Sequence, residues 1–122
     1  MHYENLPLYK KTVELCVFLE QAVQRFNRYH RYQLGADLRR QARELTSLVM
    51  QANFANDKVR VISTLRNKSE EMKLLITLAK EIQAFVSFAQ FQQAAELAVE
   101  ISRQSQGWLN SWQRKRPESS LR

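Results

Sequence analysis

Residues Phe91 to Trp112 read FQQAAELAVEISRQSQGWLNSW, and this stretch settles the architecture. Phe91, Ala94, Ala98, Ile101, Ser105, Trp108 and Trp112 follow one another at alternating steps of three and four residues. At about 3.6 residues per turn those steps draw a single stripe down one side of an α-helix. A strand would alternate every second residue, and this stretch does not. Just upstream, Ser87 is followed three residues later by Gln90, a capping box that opens the helix.

The same period runs through the rest of the chain. A third helix, ending near Ala84, carries Ile62, Leu65, Ser69, Met72, Ile76, Ala79 and Ile82. Asn53 to Asp57 reads as a turn, with Asn56 or Asp57 able to cap that helix. A second helix, from about Leu34 to Ala55, turns Leu38, Ala42, Leu45, Val49 and Ala52 inward. The first begins near Pro7 or Leu8, where a missing N–H costs nothing, and its seam is Tyr9, Thr12, Cys16, Leu19, Val23 and Phe26. Four amphipathic helices joined by short turns predict an all-α, antiparallel up-down-up-down four-helix bundle. The bundle domain spans residues 1–113. Residues 114–122, basic and broken by Pro117, read as a mobile positive tail.

The first helix carries more apolar surface than one seam uses: Leu8, Val13, Leu15, Val17, Phe18 and Ala22 lie beside it. Apolar area of that extent marks a protein interface, so this helix is expected to pack twice, inside its own subunit and against a neighbour, with Val13, Val17 and Phe18 as subunit interface or core.

Composition narrows the function. In 122 residues there are two glycines and two prolines, too few for a turn-rich β fold, and one cysteine, which leaves no internal disulfide. Cys16 sits in an apolar run as a small buried hydrophobe. No basic leader followed by an apolar segment opens the chain, and Leu15 to Leu19 is far too short to span a bilayer. A cytoplasmic protein without membrane contact is expected.

Charge is the other strong signal. Arg25 to Arg43, RFNRYHRYQLGADLRRQAR, holds six arginines against one acid, a net +5 of the chain's +7. Leu34, Leu38, Ala42 and Leu45 thread through it at helical spacing, so the block is ordered. A guanidinium pairs bidentately with phosphate and stacks on flat rings, and Tyr29, His30 and Tyr32 lie among these arginines. The pattern points to a polyanion, foremost nucleic acid; the competing reading is a solvated helix face. The candidate binding residues are Arg28 and Arg31 in a turn and Arg39, Arg40 and Arg43 on the second helix. Lys73 and Lys80, seven residues apart on the third helix, and Arg114, Lys115 and Arg116 in the tail join them.

Catalytic machinery is missing. His2 is terminal, and His30 sits in a turn with no acid to orient it. Glu70 and Glu71 are adjacent on a helix and diverge. No Cys/His cluster has zinc spacing, no Glu-x-x-His pair is present, and Gly35 and Gly107 form no phosphate-cradling loop. No catalytic residue, metal or cofactor is assigned. Gly107 costs a helix about 1 kcal/mol against alanine, which close approach of a neighbouring helix or subunit would offset. A helix ending near Gly107 is the alternative. Trp108 and Trp112 read as core or subunit interface.

The chain resembles the accessory variability determinant (Avd) family of diversity-generating retroelements. That family falls within a wider four-helix-bundle group that includes proteins encoded in ribosomal RNA intervening sequences. The resemblance runs from Leu6 to Trp112 through Leu6-Pro7-Leu8-Tyr9-Lys10, Arg31-Tyr32-Gln33-Leu34-Gly35 and Leu38-Arg39. It continues through Lys73-Leu74-Leu75, Leu78-Ala79-Lys80 and Gly107-Trp108-Leu109. The chain departs from the family's pattern where Gln106 and Ser102 replace glycines and Thr77 replaces an arginine. The resemblance implies a basic homopentamer, in the cytoplasm of a bacterial or phage-infected bacterial cell. It implies a protein that associates with a reverse transcriptase and its template RNA, or with DNA, and supports mutagenic cDNA synthesis without being catalytic. The alternatives are an intervening-sequence-type bundle protein with no polymerase partner and a structural protein–protein adaptor.

Overall fold

The computed structural model describes residues 4–115, and among them every regular element is helical. Four long helices, α1 (Leu6–Gln24), α3 (Ala36–Phe54), α4 (Lys58–Glu81) and α5 (Phe88–Lys115), form the bundle. A single turn, α2 (Arg28–His30), and a π-helical turn (Arg31–Gly35) run continuously into α3. Around the bundle α1 packs on α3 and α5, and α4 packs on the same two helices, so α1 and α4 stand at opposite corners.

Local chemistry sets the helix ends. Asn5 adopts φ 62°, a left-handed conformation that asparagine tolerates, and its carbonyl accepts from the N–H groups of Leu8 and Tyr9. The Asn27 side chain accepts from the N–H of His30, and Asp57 accepts from that of Arg60. Ser87 Oγ accepts from the N–H of Gln90, while Gln90 Oε1 accepts from that of Val86, one residue before the usual capping-box position.

The interior is Leu8, Leu15, Leu19, Val23 and Phe26 of the first helix and its end, with Leu38, Leu45, Val49, Ile62, Leu65, Met72, Ile76, Ala98 and Ile101. The seam hydroxyls are reconciled with it locally: Thr12, Ser69 and Ser105 donate to the carbonyls of Tyr9, Leu65 and Ile101 at 2.7, 2.8 and 2.7 Å.

Several expectations need correction. Leu8, Leu15 and Ala22 are fully buried inside their own bundle, while Tyr9 and Cys16 are only half-buried. The inward stripe of α1 is therefore broader than a single seam, because the helix contacts two neighbours. The excess apolar surface shrinks to Leu6 and Val17, with Val13 and Phe18 half-buried. The second helical segment starts at Arg28 rather than Leu34, since Asn27 caps it, so His30 and Arg31 are helical. The third long helix stops at Glu81 and leaves Ile82 exposed. Its exit passes through Gln83 at φ 61°, where Ala84 N–H reaches back to the Ala79 carbonyl. At the far end α5 continues through Arg114 and Lys115, two residues expected in the tail; Arg116 and the rest of that tail lie outside the described residues.

Candidate nucleic-acid interface

The candidate arginines and tail residues fall into three groups, apart from Lys73 and Lys80 on α4. Arg28 and Arg31 sit at the end of the bundle where α1 hands over to α2 and α4 to α5. Arg39, Arg40 and Arg43 run down the side of α3. Arg114 and Lys115 sit at the opposite end, about 40 Å away at about 1.5 Å of rise per residue along the 28 residues of α5. One protomer does not gather them into a single surface.

Pairing separates them further. Arg39 Nε and Arg43 Nη1 both reach Glu20 Oε1, at 3.0 and 3.2 Å, and Arg40 lies between Asp37 and Glu44 at 3.5 and 3.6 Å. The net +5 of the sequence block is thus reduced by acids that the fold delivers, Glu20 from α1 and Glu44 from later in α3. Lys73 bonds Glu70 at 2.8 Å, and Lys80 meets Glu81 at 3.3 Å. Glu70 also accepts from Ser102 Oγ on α5, and these two hydrogen bonds, Lys73's foremost, hold its carboxyl below the ordinary carboxylate range.

Of the block's six arginines, the three without an acid stand together at the bundle's end. Arg25 and Arg28 make no ion pair among the described residues, and Arg31 donates only to the Phe26 carbonyl, at 3.3 Å. Between and beside them Tyr29 is 80% exposed and Tyr32 68% exposed. This is an ordered platform. Asn27 caps it, Arg31 is tied to its base, and Gly35 lets the π turn settle onto α1: a Cβ there would stand 2.5 Å from Val23 Cγ1. Phe26 meets Phe85 edge-on at 5.3 Å, so the platform leans on the α4–α5 connection. A π turn inserted in an α-helix is a frequent mark of a functional site.

The opposite end differs. Trp108 is buried, and its Nε1 donates to Glu4 Oε1 at 3.2 Å; Trp112 Nε1 donates to the same oxygen at 2.8 Å. The Trp112 ring lies under Lys115 at 4.7 Å and Lys58 at 5.5 Å, so its faces are already engaged. Gly107 is exposed, and a Cβ there would meet nothing within 4 Å. The expected close helix approach at Gly107 is therefore absent within the protomer, and α5 does not end there.

Residues Leu6 to Trp112 match the family model described as bAvd-like. The chain belongs to the bAvd-like family. This agrees with the resemblance carried by the residue motifs and places the chain in an accessory-protein family. No curated protein matches it. In this bAvd-like chain the described residues hold no group of three or more His, Cys, Asp or Glu placed for a metal ion, and no helix long and apolar enough to cross a membrane.

Sequence reasoning passed over three features of this bAvd-like bundle. Leu74 and Leu78 stand 73% and 51% exposed on α4. They lie four residues apart and off the Met72–Ile76–Ala79 seam, so their spacing was a readable signal. Glu20 and Glu4 had no local signature: the first is nineteen residues from Arg39 and the second more than a hundred from either indole.

Proposed function

We infer that this protein is a non-catalytic accessory subunit of a diversity-generating retroelement. In this reading it binds the template RNA, or DNA, and associates with the reverse transcriptase to support mutagenic cDNA synthesis. The observation that carries the nucleic-acid part is the platform of Arg25, Arg28 and Arg31, free of acids and set among exposed tyrosines, in a chain of the bAvd-like family. The α3 arginines act less as phosphate ligands than as ties between α1 and α3, because Glu20 occupies two of them.

The working form is a cyclic homo-oligomer, a pentamer by family resemblance. Its support is exposed apolar side chains at opposite corners of the bundle, Leu74 and Leu78 on α4 and Val17, beside the half-buried Val13, on α1. Side chains so placed suit a head-to-tail ring, in which one copy's α4 meets the next copy's α1. Gly107, with open space around it, is free to take a neighbouring subunit. Five copies of the +7 chain would carry a formal +35, enough to attract polyanions without reading sequence.

The test is twofold. The tagged protein should co-purify with a reverse transcriptase encoded beside its gene. Log affinity for RNA should fall with log salt by about 0.7 to 0.9 per phosphate neutralised. Arg28→Glu with Arg31→Glu should weaken binding and flatten that slope. Unchanged affinity and slope would remove the platform from the interface, and absence of any polymerase in the purified complex would favour the intervening-sequence relatives.

A further inference from the structure

We propose that the Arg25–Gly35 platform selects unpaired nucleotides over duplex, stacking bases on Tyr29 and Tyr32 while Arg25, Arg28 and Arg31 hold the flanking phosphates. This rests on the nucleic-acid-binding reading above and adds the class of strand that is bound.

The two rings are the most exposed aromatic side chains at that end of the molecule. They stand three residues apart, so successive turns present them on neighbouring parts of one surface, and Arg28 lies four residues before Tyr32. Leaving large ring surfaces in water is unfavourable unless something covers them. The core covers neither. Tyr29's ring stands perpendicular to that of His30 at 5.1 Å and stays 80% exposed.

The other aromatic groups serve differently. Phe85 packs with Phe26 and Phe91, Phe88 leans on Phe91 at 5.5 Å, and Trp112 is hydrogen-bonded and flanked by two lysines. At the platform two open rings coincide with arginines that pair with no acid among the described residues.

A duplex offers such a site its phosphates but not its base faces, which are already stacked inside the helix. A single strand offers both, and aromatic stacking tolerates any base because every base has a π face. The platform's rigidity favours this use: the Asn27 cap, the Arg31 tie to Phe26 and the close fit of Gly35 on Val23 fix the rings before any ligand arrives.

The experiment compares a labelled oligouridylate of about 20 nucleotides with a blunt RNA duplex of the same length, using the full chain at one salt concentration and then across a salt series. The wild type is expected to prefer the single strand. Tyr29→Ser with Tyr32→Ser should lower single-strand affinity by roughly tenfold or more, from the loss of two stacking contacts, and leave duplex affinity within about twofold. The salt slope should stay as in wild type, because the arginines remain. Tyr29→Phe with Tyr32→Phe should keep the preference, since the ring and not the hydroxyl stacks. Equal binding of the two probes by wild type, or equal loss on both in the serine variant, would overturn the proposal while leaving nucleic-acid binding in place. Binding of neither probe would overturn both readings together. The exposed positions make folding of the variants secure, and an unchanged circular dichroism melt would document it.

Discussion

Replacing Gly35 by alanine should destabilise the native protein yet stabilise a variant in which Val23 has been trimmed to alanine. A Cβ on Gly35 would lie 2.5 Å from Val23 Cγ1, whereas carbon atoms in contact prefer about 3.5–4.0 Å. Val23 is 2% exposed and held in the core. Its β-branched side chain has one strongly preferred rotamer in a helix, so it cannot swing aside cheaply. Overpacking of this kind costs about 1–3 kcal/mol, and the helix-propensity gain of alanine over glycine returns up to about 1 kcal/mol. Gly35→Ala alone should therefore lose about 1 kcal/mol. Val23→Ala alone should lose about 2 kcal/mol, from two carbons removed and the cavity left. In the double variant the new Cβ enters the vacated volume. The clash vanishes and the propensity gain stays, so Gly35→Ala becomes stabilising by about 1 kcal/mol relative to the Val23→Ala parent. Urea unfolding midpoints at one fixed protomer concentration would report all four corners of the cycle. Effects that add within about 0.5 kcal/mol, or Gly35→Ala acting with the same sign in both backgrounds, would refute the close fit of the π turn on α1.

Trp108→Ala should cost about 3–5 kcal/mol, since the ring is buried, and an unchanged thermal melt would show that it is dispensable to the core. Gly107→Ala should raise the stability of the isolated protomer by up to about 1 kcal/mol, because the added methyl meets nothing there. If Gly107 faces a neighbouring subunit, light scattering of the same variant should show a weakened assembly. Leu74→Asp with Leu78→Asp should reduce the oligomer to lower mass while leaving helicity intact, and an unaltered mass would clear α4 from the interface. Arg39→Glu with Arg43→Glu should lower the melting temperature, by setting two new carboxylates against Glu20, and should change RNA affinity less than Arg28→Glu with Arg31→Glu. The reverse ranking would restore α3 as the binding face.

Helix number, order and inward stripes could be read directly from the chain. Backbone hydrogen bonds in a helix are local, and the amphipathic period of α3, α4 and α5 records which side must leave water. Ser87 and Asp57 announced helix starts for the same reason, as caps act within one turn. Family membership was likewise visible in short motifs spread along those helices. The π turn was not visible, because it depends on Gly35 meeting Val23 across a helix–helix contact. Nor could periodicity separate the two apolar sides of α1. Whether Leu8 and Leu15 face a neighbouring helix or another subunit depends on where α3 and α5 stand around it. Charge shows the limit most clearly. Counted along the chain, Arg39 and Arg43 belong to the densest positive block; in space both share Glu20, while Arg25, Arg28 and Arg31 of the same block meet no acid among the described residues. Charge in a sequence adds by position, but electrostatic potential at a surface falls with distance, and those distances exist only once the helices have packed.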